Sequence, residues 1–280
     1  MCDFFLMKRN VVLPTGREKD ILIDVISLNS ESKGTVIFCH GYKGYKDWGA
    51  WNLIASEFAR KGFTFVKFNF SHNGGTIENS IDFPDLEAFG NNTYSKEVAD
   101  LNSVIDWSNK EFGAPIYIIG HSRGGGIVTL VAGSNSNVGK VISWAAVADF
   151  KERFPFGEKL QEWKDKGVNY VVNGRTKQEM PHYYSFYEDF MKNEMNLTIS
   201  KAAKNIRIPH LIIHGDKDEA VLVKDANRLR SFNPKAELEV ISGANHTFGS
   251  KHPWDERFLP DSLREVFDKT INFINSSNKP

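Results

Sequence analysis

Two cysteines in 280 residues, Cys2 and Cys39, are too few for a disulfide framework, and such sparing use predicts a reducing, cytoplasmic setting. No apolar run approaches the ~18 residues that crossing a bilayer demands, so no membrane span is expected. Neither charge sign is in excess: 35 Lys and Arg face 35 Asp and Glu, for a formal net charge of +0. A chain without a net field has little with which to gather phosphates or anionic lipid, which argues against nucleic-acid partners and a membrane-surface role. The opening MCDFFLMKRN places its basic residues after a short apolar stretch, the wrong order for a signal peptide. Repeats and low-complexity tracts are missing too. What remains, 41% hydrophobic and 25% charged, is the composition of an ordinary globular protein.

Short β-rich runs alternate with longer helical stretches, the pattern of an α/β fold. Residues 4–13 and 21–28 flank Pro14-Thr15-Gly16, whose turn chemistry predicts an antiparallel hairpin at one sheet edge. TVIFCH (35–40), FTFVKFNF (63–70), IYIIG (116–120), KVISWAAV (140–147) and HLIIHG (210–215) follow as nearly continuous apolar runs. Strands buried on both faces of a parallel sheet have this character. AELEVIS (236–242) alternates and is expected at an edge. Helical spacing marks residues 48–61, 93–112, 220–232 and 261–274.

Residues 148–205 break the rhythm, separating two core strands by far more than a plain crossover needs. They hold Phe150, Phe154, Phe156, Trp163, Tyr170, Tyr183, Tyr184, Phe186, Tyr187 and Phe190. The expectation is a helical insertion forming a lid over one end of the sheet, which divides the chain into a core of 1–147 and 206–280 and a cap of 148–205. A surface elaboration with its own small core is the alternative.

The sharpest chemical signal is Gly120-His121-Ser122-Arg123-Gly124, between a strand and a helical run. A serine at a strand-to-helix turn takes strained backbone angles that flanking glycines accommodate, and the turn lifts its hydroxyl clear of the sheet. The next N–H then lies at a helix N-terminus, where it can stabilise negative charge. A hydroxyl is a weak nucleophile and needs a base, which in turn needs an orienting acid. Asp216, Asp218 and Glu219 follow the strand HLIIHG, and His246 follows AELEVIS. Loops at the C-terminal ends of parallel strands share one rim of the sheet. Ser122, Asp218 and His246 are therefore expected there together.

On GHSRGG, HGDKDEAV, ANHTF and His40-Gly41-Tyr42, the chain resembles the α/β-hydrolase-fold serine hydrolases over nearly all its length outside 148–205. Within them it is most similar to small esterases of the dienelactone-hydrolase and cinnamoyl-esterase type. The resemblance implies a mostly parallel eight-stranded sheet flanked by helices, and hydrolysis of a carboxylic ester through an acyl-enzyme without a cofactor; the aromatic-rich insertion leads to the expectation of a small apolar or aromatic acyl group. Ser122 would be nucleophile, His246 general base and Asp218 the acid, with Asp216 holding its loop through backbone N–H groups. The backbone N–H groups of Tyr42 and Arg123 would form the oxyanion hole. Thioester, amide or peptide hydrolysis would use the same residues, and a non-catalytic binding protein on this fold is the non-enzyme alternative. Homodimerisation stays open.

Of the other histidines, His121 is expected to point away from Ser122 and pack, and His40 to shape the oxyanion loop. His72 is read as lining the site entrance or as a solvated loop residue. His182, His210 and His252 have no informative partners in sequence. No His or Cys pair has zinc-ligand spacing, and the glycines fit neither G-x-G-x-x-G nor G-x-x-x-x-G-K-[ST].

Overall fold

The computed structural model describes residues 5–28, 31–113 and 115–276; residues 1–4 of the opening segment read above, Cys2 and Phe4 among them, lie outside these. Eight strands form the main sheet: β1 (Phe5–Leu13), β2 (Ile21–Leu28), β3 (Thr35–Cys39), β4 (Thr64–Asn69), β5 (Ile116–His121), β6 (Val138–Trp144), β9 (His210–Gly215) and β10 (Glu237–Ile241). Their order is β1-β2-β4-β3-β5-β6-β9-β10. The first pairings, β1 with β2 and β2 with β4, are antiparallel; all the others are parallel. The expected edge hairpin and edge strand both stand where the sequence put them.

Alternation along the central strands feeds two cores. Val36, Phe38, Phe65, Ile119, Ile142 and Ile213 pack with helices α1 (Trp51–Arg60) and α9 (Asp261–Asn275). Ile37, Cys39, Val66, Ile118, Val141 and Ile212 pack with α3 (Tyr94–Phe112), α4 (Arg123–Ala132) and α8 (Lys224–Phe232). Period-two side-chain direction thus explains why these strands read as unbroken apolar runs: both faces are covered. Local signals set the helix ends. Thr93 caps α3 by accepting the Lys96 N–H at 3.2 Å, and Gly113 terminates it at φ +76°. A five-residue helix, α2 (Leu86–Gly90), precedes α3.

Two helices start later than their spacing suggests. α8 begins at Lys224 rather than Ala220 because the Asp218 carboxylate accepts the N–H groups of Ala220 and Val221, bending that stretch into a turn. α1 begins at Trp51 because Tyr45 to Trp48 forms a turn closed by Trp48 N–H on the Tyr45 carbonyl at 3.1 Å.

Residues 148–205 are only partly helical. They contain a short 3-10 helix (Lys151–Arg153), α5 (Glu158–Lys166), α6 (Ser185–Leu197) and α7 (Ile199–Asn205). They also contain a two-stranded antiparallel ribbon, β7 (Val168–Val172) with β8 (Glu179–Tyr183). The wholly helical reading is corrected there. VNYVV followed by Asn173-Gly174 carried the signal, since β-branched runs ending in Asn-Gly favour a hairpin.

Strand β4 hides a second surprise. Lys67 is fully buried, bonded to Asp24 of β2 at 2.8 Å and to Asp47. Lys46 completes a square of charges, 2.9 Å from Asp24 and 2.5 Å from Asp47. Its backbone N–H also reaches Asn69 Oδ1 at 2.7 Å. This square ties the loop 40–50 to the strands beneath it. Removing one member of a buried ion cluster strands the others without a partner. Lys67→Met is expected to lower stability by about 3–5 kcal/mol; urea unfolding measures this, and a loss below ~1 kcal/mol would show that the square contributes little.

Candidate active site

The strand-to-helix junction after β5 places Ser122 at φ +59° and ψ −118°, a conformation that a non-glycine residue holds only under constraint. Four hydrogen bonds supply it. The Ser122 N–H donates to the Trp144 carbonyl at 2.9 Å, and the Ser122 carbonyl accepts from Gly125, Gly126 and Val147 at 3.0, 3.4 and 3.3 Å. The turn is tight enough that a Cβ at Gly120 would lie 2.2 Å from the Gly124 carbonyl oxygen. From the neighbouring loop, Gly41 approaches so closely that a Cβ there would come within 2.9 Å of the Ser122 Cβ.

Ser122, His246 and Asp218 join in one hydrogen-bonded chain. His246 Nε2 lies 3.0 Å from Ser122 Oγ, and its Nδ1 lies 2.7 Å from Asp218 Oδ2. Asp218 is buried and uses both oxygens. Oδ1 accepts Ala220 and Val221 N–H groups at 2.9 and 2.8 Å, while Oδ2 also meets His214 Nε2 at 3.2 Å. Burial works to raise the Asp218 carboxyl, but His214, His246 and the Val221 N–H outweigh it and hold the group well below the usual carboxylate range. Asp216 points elsewhere, accepting the Gly243 N–H at 2.7 Å and so bracing the loop after β10. A hydroxyl bonded to an imidazole whose far nitrogen meets a fixed carboxylate is equipped to lose its proton on attack.

His121 turns from Ser122 and bonds the His246 carbonyl through Nε2 at 2.8 Å, beside the Trp51 ring. Burial, reinforced by the adjacent His246, lowers its pKa to about 3, so it stays neutral and braces the backbone of residue 246. His40 donates from Nδ1 to the Gly41 carbonyl at 2.9 Å and accepts the Phe70 N–H on Nε2 at 3.3 Å, fixing the loop that carries Tyr42. The amides of Tyr42 and Arg123 have no acceptor among the described residues.

His72 is corrected on both counts. It is buried, neither solvated nor part of the cavity wall, and lies among Ser71, Glu18 and Lys96. His182, passed over in the sequence, does reach the site. Its Nε2 meets the Tyr42 hydroxyl at 2.6 Å, joining the insertion to loop 40–50, and both residues line the cavity. Burial first, then the Arg123 and Lys43 charges, lowers His182 to about 3. No local motif flagged it, because its partner lies 140 residues away.

Ser122 and His246 open onto a cavity of about 510 Å³ walled by Tyr42, Tyr94, Phe150, Phe154, Trp163 and Phe186, with Val147 and Val221. Four of these aromatics, Phe150, Phe154, Trp163 and Phe186, come from the insertion. No acidic side chain lines it among the described residues, whereas Arg123 and Arg153 both do. Those residues include no group of three His, Cys, Asp or Glu that could hold a metal ion, and no helix long and apolar enough to cross a membrane.

A mostly parallel sheet wrapped by helices, with a strained serine at its central strand-to-helix turn, makes the chain an α/β-hydrolase-fold serine hydrolase. Its residues 30–193 match the family described as serine aminopeptidase, S33, and the chain belongs to that family. The match takes in Ser122 and ends before Asp218 and His246. The chain is similar to a monoacylglycerol lipase of Mycolicibacterium smegmatis, 22% identical over 81% of this chain and 85% of that protein. Among solved structures it is similar to Est1E from Butyrivibrio proteoclasticus with ferulic acid bound (TM-score 0.71, 18% identity, 94% of this chain and 97% of the other). It is also similar to a putative dienelactone hydrolase from Klebsiella pneumoniae (TM-score 0.62, 15% identity, 98% and 100%).

Two outcomes follow from the geometry. Gly41→Ala should push the loop off Ser122 and lower kcat by about 10²-fold, as ångström-scale misplacement of reacting groups does, with circular dichroism showing an intact fold; wild-type turnover would mean the loop has slack. The lowered Asp218 carboxyl stabilises the fold above the unfolded-state value of ~4 and loses that contribution as pH falls through the folded value. Asp218→Asn should therefore be less stable than wild type at neutral pH, with the gap narrowing under acid in urea titrations. An equal gap at pH ~7 and ~3 would contradict the linkage.

Proposed function

We propose that this protein hydrolyses carboxylic esters through an acyl-enzyme on Ser122. The observation that carries the reading is the continuous bond path of 3.0 and 2.7 Å from Ser122 through His246 to Asp218, at the floor of an aromatic cavity. Ser122 Oγ attacks the ester carbon as His246 Nε2 takes its proton, and Asp218 holds the Nδ1–H tautomer and offsets the imidazolium charge. The carbonyl oxygen gathers charge against the N–H groups of Tyr42 and Arg123, which have no acceptor to leave among the described residues. Collapse of the tetrahedral intermediate breaks the bond to the alcohol, which departs with the proton from His246. Water, deprotonated by the same imidazole, then releases the acid and restores Ser122.

Residues 148–205 serve as the lid and residues 1–147 with 206–280 as the catalytic core. The aromatic wall supports an apolar or aromatic acyl group, since such rings bury large rigid area. The similarity to a monoacylglycerol lipase and to an esterase seen with ferulic acid points the same way. An aminopeptidase has to hold its substrate's terminal ammonium, and a cavity lined by two arginines and no acid is a poor host for it.

Ser122→Ala and His246→Ala are each expected to reduce turnover of 4-nitrophenyl butyrate by about 10⁴-fold or more while leaving the melting temperature near wild type. A fluorophosphonate probe should modify Ser122 in the wild-type protein, mapped by mass spectrometry. Modification at another residue, or near-native activity in either variant, would sink the proposal.

A further inference from the structure

The mechanism leaves one buried imidazole beside the site without a task. His214 is fully enclosed on β9, one helical turn's worth of sequence before Asp218. Its Nε2 lies 3.2 Å from Asp218 Oδ2 and 2.7 Å from the Val221 carbonyl oxygen. Both neighbours are acceptors, so that nitrogen carries a hydrogen and donates. Its Nδ1 is buried with no partner among the described residues. A hydrogen placed there would be a buried donor with nothing to meet, which is disfavoured.

The Asp218 carboxylate is thereby filled. Oδ1 takes two backbone N–H groups and Oδ2 takes the imidazoles of His214 and His246, and a carboxylate offers about four such places. The two rings compete for one oxygen. An Oδ2 already accepting from His214 is a weaker partner for the imidazolium of residue 246 than one left to it alone. Val221 is held at its N–H by Oδ1 and at its carbonyl by His214, and its side chain lines the cavity. One imidazole therefore ties the carboxylate to the chamber wall.

Resting on the ester-hydrolase reading, we propose that His214 is a positioning residue that sets, through the shared Oδ2 of Asp218, how strongly His246 holds the proton it takes from Ser122. Without His214, the charge on Oδ2 serves His246 alone. The imidazolium is then stabilised, keeps its proton to higher pH, and gives it up less readily to the departing alcohol. The other titratable groups nearby do not change with residue 214. His121, at the end of β5, packs its ring 4.9 Å from His246 and is lowered to about 3 by burial. Arg123 and Arg153 share the cavity with His246, and Asp216 is engaged by the Gly243 N–H.

The pH profile of kcat/KM for 4-nitrophenyl butyrate, scaled to active sites counted with a fluorophosphonate, tests this role. In His214→Leu the midpoint of the acid limb should rise by roughly half a pH unit or more. In His214→Gln, whose amide supplies N–H groups for the same two acceptors, the midpoint should return to near the wild-type value. A residue that only packed would cost folded protein and leave the midpoint in place. Should His214→Leu fail to fold, histidine-selective NMR of the wild-type protein decides, with the His214 signals assigned by their loss in His214→Gln. The Nε2–H tautomer supports the role. The Nδ1–H tautomer, an unmoved midpoint in His214→Leu, or an equal rise in His214→Gln would overturn it, while labelled Ser122 leaves the hydrolase standing. No labelling of wild-type Ser122 would bring down both.

Discussion

Everything at the rim of the sheet depends on one backbone reversal. Between β5 and α4 the chain turns within a single residue, and Ser122 takes a positive φ that its side chain would ordinarily avoid. The reversal works because Gly120 and Gly124 let two segments meet at distances no Cβ would permit. A serine on a relaxed helix or strand would lie in the surface; this one projects where an imidazole from another loop can reach it.

The second dependence is the division of labour on Asp218. One oxygen shapes the turn that follows β9 and the other meets the imidazoles of His246 and His214. Local folding and site assembly are therefore one event at this carboxylate. The delayed start of α8 belongs to the same bargain between helix propensity and a side chain competing for the N–H groups.

Much of this was legible in the residues alone. Strand runs such as TVIFCH and IYIIG, buried on both faces, announced the parallel sheet, and G-H-S-R-G between strand and helix marked the serine. Choosing Asp218 over Asp216 came from the resemblance, and the observed bonds divide the two aspartates that way. What was hidden has a common cause. Lys67 stands inside an apolar run, and only the fold brings Asp24 and Asp47 to neutralise it. His182 carries no pattern of its own, since its meaning lies in a tyrosine far back in the chain. The β7–β8 ribbon is masked in the sequence by the aromatic residues around it, which suit a helix as well as a strand. Periodicity reports on neighbours along the chain; pairings across it need the tertiary structure.

Tyr42 and Arg123 each keep a backbone N–H without an acceptor among the described residues and put a side chain in the cavity wall. In the proposed mechanism, anchoring the reaction and shaping the chamber fall to the same two positions, both outside residues 148–205. Phe154, Trp163, His182 and Phe186, by contrast, come from a segment that supplies nothing to the serine, imidazole and carboxylate. A lineage changing its diet would find freedom there: residues 148–205 can be rewritten while the two core positions stay as they are, so novelty in this scaffold is cheapest in the part that does no chemistry.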